Sequence, residues 1–198
     1  MRAAILLSLA LTSAPALSQE PAPPAPPVAA PAAPAASTHG AKPTVPRMRK
    51  QPIGACGCSL YAPEGFSVGA PDKSDDGADV YIGTAKVDDF EFGVIAVKFS
   101  VDLGDDGDAL QGMLVDYMSF VRGQLNITQT AGVGLGHRME SHPAARGVID
   151  YWTGKDGVEY AVKGWVDGKH LGVLYIAGKG SYPLFNVQSM YLDGFRFE

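Results

Sequence analysis

The chain of 198 residues has two cysteines, four histidines and, past its N-terminal apolar stretch, no long hydrophobic run. Each shortage excludes something. Two cysteines cannot build the dense disulfide framework that lets a small secreted domain dispense with a core. So few Cys and His residues leave little material for a closed zinc site. No stretch reaches the roughly 20 apolar residues that a spanning helix needs, so no membrane span is predicted. Positive charge is also scarce: 16 Lys and Arg stand against 21 Asp and Glu, and from Gln51 onward 11 stand against 20. An acidic body repels phosphate backbones, so nucleic acid is not an expected partner. No cofactor and no resident metal is expected either. Proline is present but unevenly placed: ten of the fifteen precede Lys50, which leaves the remainder free to pair in sheets.

What is there begins with an export pattern. Arg2 supplies a positive start, Ala3 to Leu11 an apolar segment, and Ala16-Leu17-Ser18 a small-residue cleavage site before Gln19. Residues 1–18 are therefore predicted to be a signal peptide. No cysteine follows the apolar segment to accept a lipid, so the expected destination is periplasmic or secreted. Residues 19–50 form a Pro/Ala-rich tail, expected to be a disordered spacer and alternatively a docking motif. The tail ends in the basic residues Lys42, Arg47, Arg49 and Lys50. Residues 51–198 have the length of one domain with one core.

In that body Val80 to Val87 and Phe90 to Val101 read as strands joined at Asp88-Asp89, with Ile95, Val97, Phe99 and Val101 on one face. Asp108 is the expected N-cap of an amphipathic helix from Ala109 to Leu125. Gly147 to Thr153, Val158 to Val166 and Leu171 to Ala177 read as a meander, with Asp-Gly pairs in its connections. Ser181 and Pro183 open a second short helix with a stripe of Leu184, Val187, Tyr191 and Leu192. Phe195-Arg196-Phe197 closes the chain as a strand. The mixture predicts an α+β domain.

The segment Ala62-Pro63-Glu64-Gly65-Phe66-Ser67-Val68, the central helix, and the closing Leu192-Asp193-Gly194-Phe195-Arg196-Phe197 carry a resemblance. Together they resemble the PsbP-like α-β-α sandwich superfamily, across most of Leu60 to Phe197. The resemblance implies a single sandwich-like domain, an antiparallel β-sheet with two helices packed on it. It also implies a binding scaffold without common catalytic residues.

Cys56-Gly57-Cys58 is the first candidate constellation. In an oxidising compartment the pair is expected to form a local bridge, a bridge to a second subunit in a disulfide-linked dimer, half of a soft-metal site, or nothing. A redox enzyme would more typically show Cys-x-x-Cys at a helix start. Gly65-Phe66-Ser67-Val68-Gly69 matches a nucleophile pattern but is followed by a loop, where that chemistry needs a strand-to-helix turn. His137, Glu140 and His142 are the densest ligand-type cluster, although an extended chain points the two histidines apart. The aspartates at 102, 105, 106 and 108 lack calcium-loop spacing. Gly132 to Gly136 opens no helix and so is no dinucleotide fingerprint. Trp152 and Trp165, on neighbouring strands, are expected either in the core or on a binding face. These observations point to a non-enzymatic exported adaptor or chaperone-like module that binds another envelope or secreted protein. A thiol/disulfide redox protein using Cys56 and Cys58, or an apolar-ligand carrier, is the alternative.

Overall fold

Short β-branched and aromatic runs, broken by glycine and aspartate turns, favour antiparallel pairing over long helices. The computed structural model describes residues 43–198. The expected signal peptide at 1–18 and the tail up to residue 42 lie outside the described residues. The order of elements is β1 (Met48–Pro52), β2 (Cys58–Pro63), β3 (Ser67–Val68), β4 (Asp72–Lys73), β5 (Asp79–Val87), β6 (Phe90–Lys98), α1 (Gly107–Gln124), β7 (Ile127–Thr130), β8 (Gly134–Met139), β9 (His142–Gly154), β10 (Val158–Val166), β11 (His170–Lys179), α2 (Phe185–Leu192) and β12 (Arg196–Phe197).

The strands form two antiparallel sheets. The main sheet runs β3-β5-β6-β11-β10-β9-β7, with β4 also on β5 and β8 also on β9. The small sheet runs β1-β2-β12. The central strand β11 is buried on both sides, and its alternation separates two cores. Leu171, Val173, Tyr175 and Ala177 belong to the core that lies under α1, together with Leu110, Leu114, Met118 and Val121 of the helix. Leu174 and Ile176 face the other way, with Phe92, Val94 and Ala96 of β6, onto Ile53, Leu60, Tyr191 and Phe195. Strands with apolar residues on both faces are the mark of a sheet covered on both sides.

That second cover corrects the expected architecture. The domain is not an α-β-α sandwich with two helices packed on one sheet, but mostly antiparallel strand in two sheets. Only α1 covers a face as a helix. Eight residues make α2 about 12 Å long, too short to cover the opposite face, so the β1–β2 hairpin supplies the missing apolar surface with Ile53, Cys58, Leu60 and Ala62. The boundary expected between tail and body at 50/51 falls inside β1. Arg49 and Lys50 sit in that strand, paired with Glu64 at 3.3 Å and Glu198 at 3.4 Å. Thr44 already touches the body, donating its hydroxyl to Asp88 at 3.0 Å. Among the described residues no helix is long and apolar enough to cross a membrane.

Local expectations fared differently. The β5–β6 hairpin turns at Asp88-Asp89, with Asp88 at φ 52°, and β10 spans the residues read for it. The cap of α1 is Asp106, two residues before Asp108; its carboxylate accepts from the amides of Asp108 and Ala109. At the start of α2, Leu184 occupies the cap position without a side-chain hydrogen bond, so Ser181 caps nothing.

Candidate functional site

The five residues Ile53 to Gly57 join β1 to β2, and both of its glycines adopt positive φ, 53° at Gly54 and 82° at Gly57. The Ile53 amide donates to Cys58 O at 2.9 Å and the Cys56 amide to Ile53 O at 3.0 Å. This tight return brings Cys56 Sγ and Cys58 Sγ to 3.0 Å. Both are free thiols, exposed by 0 % and 1 %. Their shared hydrogen bond draws the Cys56 thiol below its ordinary value against the opposing effect of burial; the same bond, with burial, pushes Cys58 up. The pair thus holds one proton on Cys58 more firmly than the other on Cys56.

The His170 ring stands against this loop: a Cβ at Gly57 would lie 3.2 Å from His170 Nε2. His170 Nδ1 is 3.3 Å from the Asp167 carboxylate, and His142 Nε2 approaches the same oxygen at 3.6 Å. Burial pushes the Asp167 carboxyl up, but hydrogen bonds from the His170 ring and from the amides of Lys169 and His170 outweigh it and hold the group below its usual range. Phe197 of β12 packs on both imidazoles, 5.2 Å from His142 and 6.0 Å from His170. His170, just after the Asp167-Gly168 turn, is therefore part of a half-buried cluster with Asp167, His142 and Phe197.

A second region lies on the main-sheet face that carries the small sheet. There the small sheet and α2 leave the β9–β10 end uncovered. A groove of about 490 Å³ opens, with Ala161 and Ile176 among its floor residues and Tyr151, Phe90 and Tyr182 among its walls. Gln129 and Gln188 add amides, Ser181 a hydroxyl and Glu159 a carboxylate. Phe90 meets the Tyr182 ring edge-on at 5.0 Å, and the Tyr182 hydroxyl is buried with no hydrogen-bond partner among the described residues. Further along β10, Lys163 and Trp165 line a hollow of about 380 Å³ with Arg138, Glu140, Asp193 and Arg196. The Lys163 ammonium pairs with Asp193 and lies 4.8 Å from the Trp165 ring centre.

Trp152 and Trp165 do not share a face. Trp152 stands opposite Tyr160 and Trp165 opposite Gly147, an odd offset along β10 that puts them on opposite sides of the sheet. Both are buried, Trp152 in the α1 core and Trp165 in the small-sheet core. Trp152 is nonetheless among the residues that line the groove. Its indole is held by Asp150, a fully buried carboxylate that also accepts from the Thr130 hydroxyl. Asp150 and Tyr182 escape a reading of the sequence, because Thr130 and Phe90, which they meet, lie 20 or more residues away; Tyr151 and Gln188 come to one groove only through the fold.

The other motifs do not assemble. Ser67 sits on an edge strand paired with β5 and followed by β4, not by a helix. His137 lies on β8, whereas His142 faces Asp167. Among the described residues, no group of three His, Cys, Asp or Glu side chains is placed to hold a metal ion. Asp102 accepts from the Gly104 amide and pairs with Lys169. Gly136 donates its amide to Gln111 of α1 at 3.0 Å. Neither a family model nor a curated protein matches the chain, so the resemblance to the PsbP-like superfamily rests on the quoted residues alone.

Proposed function

We propose that the chain is an exported binding module that holds a segment of another envelope or secreted protein in the groove beside α2. The observation that carries this reading is the composition of the groove: an apolar floor, aromatic walls and amide and hydroxyl groups at one open end of a rigid sheet. Aromatic rings provide large contact area at low entropic cost, and side-chain amides satisfy the backbone of a bound segment. The acidic surface of the body favours a partner segment of neutral or positive charge. The thiol chemistry supports a catalytic role less well, because both sulfurs are buried and a redox enzyme must present one to its substrate.

Site-specific photocrosslinking tests the reading. A photoreactive residue at Gln188 should capture a discrete partner in the native envelope, whereas one at Ser119, on the outer side of α1, should not. Tyr151→Ala in the same chain should reduce capture from Gln188 at least severalfold while leaving the melting temperature within a few degrees. Equal labelling from both positions, or capture of a lipid or small molecule in place of protein, would rule the proposal out.

A further inference from the structure

Cys56 and Cys58 are the only cysteines in the chain, and the groove does not use them. Three features of their surroundings act together. The spacing is local: one glycine separates the two residues, so their sulfurs can meet without any tertiary structure. The backbone also supports the meeting. Gly57 takes a left-handed conformation, φ 82°, that a side chain would resist, and the Ile53–Cys58 hydrogen bond closes the loop behind it. Finally, docking seals the pair. The His170 ring covers Gly57, and the Glu198 amide donates to Gly57 O at 2.9 Å, tying the C-terminal end of the chain across the loop. The sulfurs end fully buried beside Ile53 and Leu60 in the small-sheet core.

We propose that Cys56 and Cys58 close into an intramolecular disulfide before the β1–β2 hairpin docks, and that the docked fold then shields this bond from reductants. Local spacing lets the bond form early, and burial makes it hard to reach afterwards. The oxidant is a disulfide-bearing compound or protein. The Cys56 thiolate attacks one of its sulfurs and displaces a first thiolate. Cys58 Sγ then attacks Cys56 Sγ and displaces the second. The chain loses two electrons and two protons, and the oxidant's disulfide leaves as two thiols. The bond fixes the loop at the head of the β1–β2 hairpin, which covers one face of the main sheet. It is a modification site distinct from the groove, and it rests on the export reading only for its setting in the cell.

The test uses the full chain, reduced, unfolded in urea and refolded with oxidised glutathione as the oxidant. Trapping with iodoacetamide in denaturant should give a monomer two hydrogens lighter than the reduced chain, with neither cysteine alkylated. Two alkylated cysteines, a retained glutathione adduct or a disulfide-linked dimer would each overturn the proposal. Dithiothreitol should reduce the bond at least about tenfold more slowly in the folded protein than in urea; equal rates would sink the shielding. Cys56→Ser/Cys58→Ser should melt about 2–6 °C lower than the oxidised protein, as expected for a very short closed loop. If that variant does not fold, the mass and reduction measurements still decide. A bond that forms with glutathione but is absent from protein taken from the envelope would uphold the chemistry and refute the oxidising destination.

Discussion

Asp150 has 1 % exposure, and its side-chain oxygens accept from the Thr130 hydroxyl, the Tyr151 amide and the Trp152 indole. Removing it would leave an indole N–H and a hydroxyl buried without a partner. Asp150→Ala should therefore cost about 2–4 kcal/mol in urea unfolding and loosen β7 from β9. Asp167 carries the pH dependence. Its folded carboxyl titrates below the unfolded value, so its contribution is present above the ordinary carboxylate range, from about pH 5 upward. It is lost as the pH falls through the folded value. Asp167→Asn should flatten the decline in stability between about pH 5 and pH 3, which urea titrations across that range would reveal. Neither role is legible in the sequence. An aspartate in an alternating strand and another in an Asp-Gly turn look ordinary until the fold supplies Thr130, His142 and His170.

At the scale of the element, α1 shows how a helix is seated. The helical spacing of Leu110, Met113, Leu114, Tyr117, Met118, Val121 and Leu125 marks its apolar stripe, of which Leu110, Leu114, Met118 and Val121 are buried and the other three partly buried. Its seat is not marked by that spacing. Gly164 on β10 faces the helix, where a Cβ would stand 2.7 Å from Leu114 Cδ1 and 3.0 Å from Met118 Sδ. Gly164→Val should therefore push α1 off the sheet and cost about 1–3 kcal/mol, with a loss of near-ultraviolet dichroism from the Trp152 and Tyr160 surroundings. Asp106→Ala should cost about 1 kcal/mol by removing the cap, and Asp108→Ala less. Two aspartates flank Gly107, and only the backbone path decides which of them turns its carboxylate onto the free amides. The strands β1 and β2 were harder to read than α1, because Arg49 and Lys50 look like the end of a linker until Glu64 and Glu198 stand opposite them.

For the whole molecule, the main sheet separates two cores that share β11 and β10. Trp152 reports the core under α1 and Trp165 the core under the small sheet. Because each central strand contributes to both, the domain should unfold as one cooperative unit. Fluorescence transitions of the single-tryptophan variants Trp152→Phe and Trp165→Phe, each referred to its own dichroism transition, should coincide. Leu60→Ala in one core and Leu114→Ala in the other should each lower the single midpoint, by about 2–5 kcal/mol. Separate fluorescence and dichroism midpoints in either variant would show that the small sheet and its hairpin unfold apart from the rest.

The Asp88-Asp89 hairpin, the meander of β9, β10 and β11 and the buried stripe of α1 were determined by the sequence itself, since each depends on periodicity and turn chemistry within about twenty neighbouring residues. Which element covers the second face of the sheet, which carboxylates become buried, and where a groove stays open were decided only by the tertiary structure. Those outcomes depend on partners far apart in the chain: Cys58 beside Phe197 in β12, His170 against Gly57, Tyr182 against Phe90. A short α2 leaves apolar surface uncovered, and a local pattern cannot state which distant strand will bury it.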